Sequence, residues 1–157
     1  MTIKIISESG GLPSYQTAGS AAVDLEAWLE EPVRIKPGET VKIPTGIYLD
    51  MSDHPDIFGS LHVRSSIGIK LGLMLANGTG IIDNDYQGEV IVALHNYAPP
   101  VQQVGMGSFK PAPVIIEPGQ RIAQLVFQKY EQIAFEQVSE FETTTERGAG
   151  GIGSTGK

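Results

Sequence analysis

Cysteine is absent from this sequence of 157 residues, which excludes disulfides, thiolate metal sites and cysteine nucleophiles. No apolar run approaches the ~18 residues that a membrane-spanning helix needs, and the first residues lack the apolar stretch and cleavage signature of a signal peptide. Positive charge is scarce: Lys+Arg 11 against Asp+Glu 18 gives a net charge of −7, which argues against non-specific nucleic-acid binding. We therefore expect a cytoplasmic protein that binds neither membranes nor nucleic acid.

Helical periodicity is also scarce, and short runs rich in Val, Ile and Leu alternate with turn signals. The chain has 19 Gly and 10 Pro, and runs spaced about 8–12 residues apart are typical of a β-sandwich or barrel. The sequence therefore predicts one all-β domain over residues 1–142, a distorted jelly-roll barrel or sandwich. One short helix is predicted over residues 65–71, with Ser65 as its N-cap. The predicted strands cover residues 3–6, 23–27, 40–44, 46–49, 57–62, 73–75, 89–95, 114–117 and 121–128.

Two Pro-Gly turns have related sequences, at residues 35–39 and 116–120. Proline sets φ at the first central position of such a turn, and glycine supplies a positive φ at the second. Each turn leads into a predicted strand. A repeated strand entry of this kind fits a jelly roll with two related halves.

Two segments are predicted to lie outside the regular structure. Residues 97–113 contain four prolines and two glycines and are predicted to form a long exposed loop. Residues 143–157 are rich in Thr, Ser and Gly and are predicted to be a flexible tail. The tail matches GxGxxG but has no strand before it and no helix after it, so it is not a dinucleotide fingerprint. Its backbone N–H groups, with Arg147, Ser154 and Thr155, either wrap phosphates or form a plain solvated tail.

The three histidines, His54, His62 and His95, have no metal-binding spacing, and without cysteine they predict no zinc site. A magnesium ion held mainly by substrate oxygens and water would leave no such signature.

Residues 77–89 form the segment richest in polar groups. Its Asn77-Gly78 pair follows an apolar run and predicts a hairpin turn. Asp83 and Asp85 serve either as turn residues or as chemical groups; in an extended segment both lie on one side, so spacing does not choose between them. The sequence Arg64-Ser65-Ser66 opens the predicted helix and either presents N–H groups to an anion or is a plain cap with a surface arginine.

Five segments, in order, resemble the motifs of the trimeric dUTPase family. They lie at residues 18–25, 64–68, 77–89, 119–125 and 147–156. The resemblance implies a jelly-roll subunit and a homotrimer with three active sites at subunit interfaces. It also implies Mg²⁺-dependent hydrolysis of dUTP to dUMP and pyrophosphate, with the phosphate-binding motifs supplied by a neighbouring subunit and the tail by a third.

The resemblance also implies residue roles. Asp83 takes the position of the carboxylate that activates water, and Asp24 lies near the water shell of the metal. The positions that match substrate-binding ones are Asn77, Gly80, Ile81, Ile82 and Ile91 around uracil, Tyr86 on the deoxyribose, Arg64, Ser65, Ser66 and Gln124 at the phosphates, and Arg147, Ile152, Gly153, Ser154 and Thr155 in the tail. Gly78 and Gly80 are expected to let the backbone approach the base.

The sequence departs from the family pattern in two places. Ile152 stands where an aromatic residue commonly stacks on uracil, so we expect weaker closure of the tail. Residues 97–113 are longer than the matching connection in compact members; they bind another protein, pack across the trimer, or form an ordinary surface loop.

Two other functions stay open from the sequence. A related dCTP deaminase would carry a catalytic glutamate where this chain has Ala93. A regulatory protein would use the nucleotide site as a switch, with the long loop as its contact surface.

Overall fold

The computed structural model describes residues 1–99, 102–104, 107–109 and 112–151. Within these residues the regular secondary structure is nearly all β-strand, with one π-helix, Ser66–Lys70, and the predicted all-β class is confirmed. No helix in this described part is long and apolar enough to cross a membrane. The strands are β1 (Lys4–Ser7), β2 (Val23–Glu26), β3 (Val33–Ile35), β4 (Thr40–Ile43), β5 (Ile47–Asp50), β6 (Ile57–Val63), β7 (Leu73–Leu75), β8 (Gly80–Ile82), β9 (Val92–Asn96), β10 (Gln102–Val104), β11 (Gly107–Phe109), β12 (Val114–Ile116) and β13 (Arg121–Lys129).

Two antiparallel sheets enclose the core, in the orders β2-β13-β6-β8 and β4-β9-β7; the remaining strands pair as β1-β5, β3-β12 and β10-β11. Side chains on successive strand residues point to opposite faces of a sheet. In the four-stranded sheet, Leu61 and Leu125 are buried in the core. Gln124, in contrast, is paired with Asp24 on one side and His62 on the other. The outer face of this sheet therefore carries a row of polar side chains.

The two related Pro-Gly turns are confirmed. Gly38 and Gly119 have φ values of 77° and 71°, a region that favours glycine. The N–H of Glu39 donates to the Lys36 carbonyl oxygen at 3.0 Å, and the N–H of Gln120 donates to the Glu117 carbonyl oxygen at 3.1 Å. The strands that precede the two turns, β3 and β12, pair with each other, so the sequence repeat is also a structural repeat.

Every predicted strand is present, but one begins later than predicted. The strand predicted over residues 89–95 begins at Val92, because the preceding residues bind a different strand. Glu89 forms an isolated bridge with Tyr48, and the N–H of Val90 donates to the Ile47 carbonyl oxygen at 2.8 Å. Residues 89–90 thus pair with β5, and the strand that follows, β9, pairs with β4. The short strands β3 and β8 were not predicted.

Residues 97–113 were predicted to be an exposed loop, which is wrong in part. They contain the antiparallel hairpin β10-β11, with Gln102 opposite Phe109. The prolines of this segment lie outside both strands. The residues between them therefore keep the N–H groups that a β-ladder needs.

The predicted helix is present but differs in type and in its first turn. Ser65 itself has helical angles (φ −55°, ψ −36°), and its side chain makes no capping hydrogen bond. The first turn closes on the carbonyl oxygen of Arg64, which accepts from the N–H groups of Ile67 and Gly68 at 2.9 and 3.0 Å. Ser65 therefore stands at the predicted N-cap position, but its side chain does not cap the helix.

The predicted hairpin at Asn77-Gly78 is wrong as well. A tight turn is present, with the N–H of Gly78 donating to the Leu75 carbonyl oxygen at 3.0 Å. However, the flanking strands β7 and β8 do not pair with each other: β7 pairs with β9, and β8 pairs with β6. The turn carries the chain from one sheet to the other.

Candidate active site

Three of the sequence motifs meet around one open cavity of about 420 Å³ at the end of the four-stranded sheet. The motifs come together because β2 and β6 flank β13 on either side. Small residues of the first motif leave room for a ligand. The cavity is lined by Gln16, Ser20, Ala21, Ala22, Asp24, Arg64, Ser65, Gln124 and Val126.

Asp24 holds the Arg64 guanidinium at the edge of this cavity. The Nε of Arg64 lies 2.9 Å from Oδ1 of Asp24, whose side chain is only 11% exposed. The other oxygen, Oδ2, lies 3.3 Å from Nη1 of Arg121, which also donates to Oε1 of Gln16 at 2.9 Å. A guanidinium held in a fixed position is well suited to form bidentate hydrogen bonds with phosphate oxygens. No role was predicted for Gln16 or Arg121, because a single sequence does not show that Arg121 contacts both Gln16 and Asp24.

The amide of Gln124 is also held in place. Its Nε2 donates to the Val63 carbonyl oxygen at 3.2 Å, which uses one of the two hydrogens that an amide nitrogen carries. Ser65 is exposed and Ser66 half-buried at the start of the π-helix. The structure thus brings Arg64, Ser65 and Gln124 together around one cavity; that they bind an anion stays a prediction.

The cavity offers little to hold a metal directly. Among the residues that the structure describes, no three His, Cys, Asp or Glu side chains are grouped closely enough to bind an ion. Asp24 is the carboxylate at the cavity, and both of its oxygens contact arginines. This donor set fits magnesium, which commonly keeps several waters and is held by one or two carboxylates plus substrate phosphates. Asp24 would then hold the ion through its water shell.

The second group of predicted residues lies on and after β8, the edge strand of the four-stranded sheet. Alternate residues of an edge strand turn their N–H and C=O groups away from the sheet, where a ligand can pair with them. Ile82 is buried, whereas Ile81 is 56% exposed. Asn77 is exposed at the turn before the strand, and Asp83 is exposed directly after it. Ile91, 37% exposed, follows in the chain just before β9.

Core packing also favours glycine at position 80. A Cβ on Gly80 would lie 3.0 Å from the Cβ of Leu61, so the missing side chain makes room for a core leucine of β6. The expectation that glycine here lets the backbone approach a base stays a prediction. At Gly78 a Cβ would meet nothing within 4 Å.

A turn, not an extended strand, carries the two aspartates of this segment. The N–H of Tyr86 donates to the Asp83 carbonyl oxygen at 3.1 Å, so alternation along a strand does not relate Asp83 to Asp85. Nδ2 of Asn84 anchors the turn by donating to the Pro55 carbonyl oxygen at 3.0 Å. This role of Asn84 was not predicted, because its partner, Pro55, is distant in sequence.

Within one chain the two groups are far apart. Because β8 runs antiparallel to β6 with Ile82 opposite Gly59, Asp83 follows β8 at the end of β6 that is remote from Arg64. Arg64 lies five residues beyond Gly59, which is about 16 Å at ~3.3 Å per residue. The cavity around Arg64 has no lining residue from the segment 77–89. A single chain therefore presents two separate patches, the cavity and the β8 edge.

The tail is described only as far as residue 151. Arg147 closes a turn, its Nε donating to the Gly150 carbonyl oxygen at 2.9 Å, and its side chain is exposed. The remaining predicted tail residues lie outside the described residues: Ile152, Gly153, Ser154 and Thr155.

Taken together, these features define an all-β protein with a cavity lined by arginine, serine and amide side chains and a separate strand edge followed by a carboxylate. The family model described as dUTPase matches residues 8–156. The chain therefore belongs to the dUTPase family, and it is an enzyme of that family.

Relatives and solved structures agree with this assignment. A deoxyuridine 5'-triphosphate nucleotidohydrolase of Acinetobacter baumannii is 46% identical over 146 residues, covering 93% of this chain and 88% of that protein. The enzyme of the same name from Paraburkholderia xenovorans is 43% identical, covering 93% and 89%. The dUTPase of Staphylococcus bacteriophage 80alpha, solved with dUpNHpp, has a TM-score of 0.83 at 26% identity and covers 99% of both chains. The predicted jelly-roll fold is confirmed by this likeness.

Proposed function

We propose that the chain hydrolyses dUTP to dUMP and pyrophosphate with Mg²⁺, by attack of an Asp83-activated water on the α-phosphate. The observation that carries the proposal is that one chain has both a cavity lined by arginine and amide side chains and a strand edge, β8, that is followed by an exposed aspartate. The nucleotidohydrolase relatives and the nucleotide analogue bound to the 80alpha enzyme support the choice of substrate.

The backbone at the edge of β8 recognises uracil by hydrogen bonds. Uracil presents acceptor, donor and acceptor along O2, N3–H and O4, whereas cytosine reverses the polarity at N3 and at position 4. The side chain of Asn77 can turn its amide around, but the backbone of Gly80, Ile81 and Ile82 is fixed by pairing with β6. Cytosine would therefore leave buried polar groups unpaired, and sites of this kind discriminate by roughly 10⁴-fold or more. Ile91 closes the same side of the base.

The sugar and the phosphates are bound by the remaining predicted residues. Tyr86 packs on the deoxyribose and leaves no room for a 2'-hydroxyl. Arg64, Ser65, Ser66 and Gln124 bind the phosphates, and a magnesium ion, when bound, would neutralise part of the phosphate charge. The tail closes over the nucleotide through Arg147, Ile152, Gly153, Ser154 and Thr155. Although the net charge is −7, the local field at the cavity is set by its arginines, and net charge does not describe one pocket.

Asp83 accepts the proton of the attacking water. A positioned general base contributes about 10²–10⁴-fold, and the rest of the acceleration comes from donors aimed at the phosphate oxygens. Arg64 and the backbone N–H groups at the start of the π-helix stabilise the charge that develops there.

We further propose that the active enzyme is a homotrimer with sites between copies. The separation of the two patches supports this, because one nucleotide must reach both. The stretch after β13 also supports it: its large apolar side chains lie in water in a single chain, and such surface favours a protein contact. These are Ile133, Phe135, Val138 and Phe141, exposed by 66%, 96%, 52% and 87%.

In the cell this reaction would limit uracil incorporation into DNA and supply dUMP for dTMP synthesis. A nucleoside triphosphate carries several negative charges and does not cross a bilayer. We therefore place the enzyme in the cytoplasm, where its substrate is formed.

A second candidate role is binding of another protein through residues 97–113. The hairpin β10-β11 is not paired with any other described strand, so it forms a two-stranded sheet of its own. The 80alpha dUTPase is described as controlling the transfer of virulence genes by a G protein-like mechanism. A dCTP deaminase is not favoured, since position 93 in β9 is alanine.

A substrate panel tests the proposed reaction. With dUTP, dCTP, dTTP and UTP as separate substrates, we expect pyrophosphate and dUMP from dUTP and background release from the others. A uridine nucleotide formed from dCTP would identify a deaminase. Tight binding of dUTP without turnover would identify a regulatory protein. Light scattering on the same preparation gives the number of chains in the assembly.

A further inference from the structure

The ring of Tyr86 is folded back onto its own chain. Its hydroxyl donates to the Glu89 carbonyl oxygen at 3.0 Å, and its ring lies directly over Gly88. A Cβ on Gly88 would lie 2.5 Å from the Tyr86 Oη, 2.6 Å from Cζ and 2.9 Å from Cε2. No other residue type fits at position 88 with the ring in this place.

The carbonyl that holds the hydroxyl belongs to a firmly anchored residue. Oε1 of Glu89 accepts the backbone N–H of Thr45 at 3.1 Å and that of Gly46 at 2.8 Å. The next residue is fixed as well, because the Thr45 hydroxyl donates to the Val90 carbonyl oxygen at 2.6 Å. The carboxylate of Glu89 therefore ties its own backbone to the connection between β4 and β5.

We propose that Gly88 and Glu89 form a seat that fixes the Tyr86 ring and thereby sets the discrimination between deoxyribose and ribose. This inference rests on the proposed function, in which the sugar packs on Tyr86. Steric exclusion of the 2'-hydroxyl group of ribose requires that the Tyr86 ring stays in a fixed position. Tyr86 is 44% exposed, so packing alone does not hold it. It is held at both ends, through its N–H by Asp83 and through its hydroxyl by Glu89.

Gly88→Ala tests the seat, because the added methyl group displaces the ring. We expect the ratio of kcat/KM for dUTP to that for UTP to fall by about tenfold or more, the scale on which pockets distinguish one small group. Gly11→Ala is the matched control, since a Cβ there would be 3.7 Å from its nearest neighbour, the Ser9 Oγ. Loss of stability alone lowers turnover of both substrates together and leaves the ratio unchanged.

A second set of variants keeps the proposal testable if Gly88→Ala fails to fold. Tyr86→Phe keeps the ring and removes its bond to Glu89, and Glu89→Ala removes the anchor; both are expected to lower the ratio. Glu89→Gln keeps an oxygen acceptor and recovers the ratio that Glu89→Ala loses. An unchanged ratio in folded variants that still hydrolyse dUTP would overturn the seat and leave the proposed function standing. If the unaltered protein fails to hydrolyse dUTP, or treats dUTP and UTP alike, the proposed function itself is wrong.

Discussion

Replacing Asp83 by asparagine is expected to lower kcat on dUTP by about 10²–10⁴-fold, the contribution typical of a positioned general base. The amide has nearly the same shape as the carboxylate but does not take a proton from water. The bonds that hold the turn use the Asp83 backbone and the Asn84 side chain, so the turn should persist. The measurement is pyrophosphate release, together with calorimetric binding of a non-hydrolysable dUTP analogue, which we expect to stay close to that of the unaltered protein.

Asp85→Asn is the matched control for this experiment. Asp85 is exposed in the same turn and carries the same charge, so both variants change the local field in a similar way. Retained turnover in Asp83→Asn with lost turnover in Asp85→Asn would reassign the base to Asp85. Retained turnover in both would direct attention to Asp24.

Mixing two inactive variants is expected to restore activity, because Asp83 and Arg64 of one chain lie near opposite ends of β6, which separates them by about 16 Å or more at ~3.3 Å per residue. Asp83→Asn damages the β8 edge, and Arg64→Gln damages the cavity. If each site takes one patch from each of two copies, a randomly assembled equal mixture has both patches intact in about one quarter of its sites. Refolding the variants together and measuring dUTP turnover should therefore give about that fraction of the unaltered activity.

The control mixture combines Arg64→Gln with Gln124→Ala. Both changes fall on the cavity, so every site receives one damaged cavity and activity should stay at the level of the separate variants. If Asp83→Asn and Arg64→Gln also give no more than their separate activities, the site lies within one chain and the shared-site account is wrong.

Local sequence signals predicted the features that depend on neighbouring residues. Val- and Ile-rich runs located the longer strands, and the Pro-Gly turns at Gly38 and Gly119 have the predicted positive φ. Strand β8 was missed because Gly80–Ile82 lie within the polar, turn-rich segment 77–89, where the sequence indicates turns rather than a strand. It is a strand because β6 supplies its pairing partners, and local sequence does not show which strand lies alongside.

In the candidate site, too, the motifs could be predicted from the sequence, whereas contacts between distant residues could not. The resemblance to a family placed Arg64, Ser65 and Gln124 at one anion site, and the cavity brings them together. Contacts that hold other residues of the two patches in place were not predicted: Arg121 on Asp24, Pro55 on Asn84 and Thr45 on Glu89. Each of these contacts joins residues far apart in the chain, so it depends on strand register rather than on a motif.

A crystal structure with a non-hydrolysable dUTP analogue tests the central claim most directly. The account predicts the uracil edge paired with the backbone of Gly80–Ile82 and Asp83 facing the α-phosphate, all from one copy. It predicts the phosphates on Arg64, Ser65 and Gln124 of another copy. A base bound away from β8, or a nucleotide whose base and phosphates contact a single chain, would contradict it.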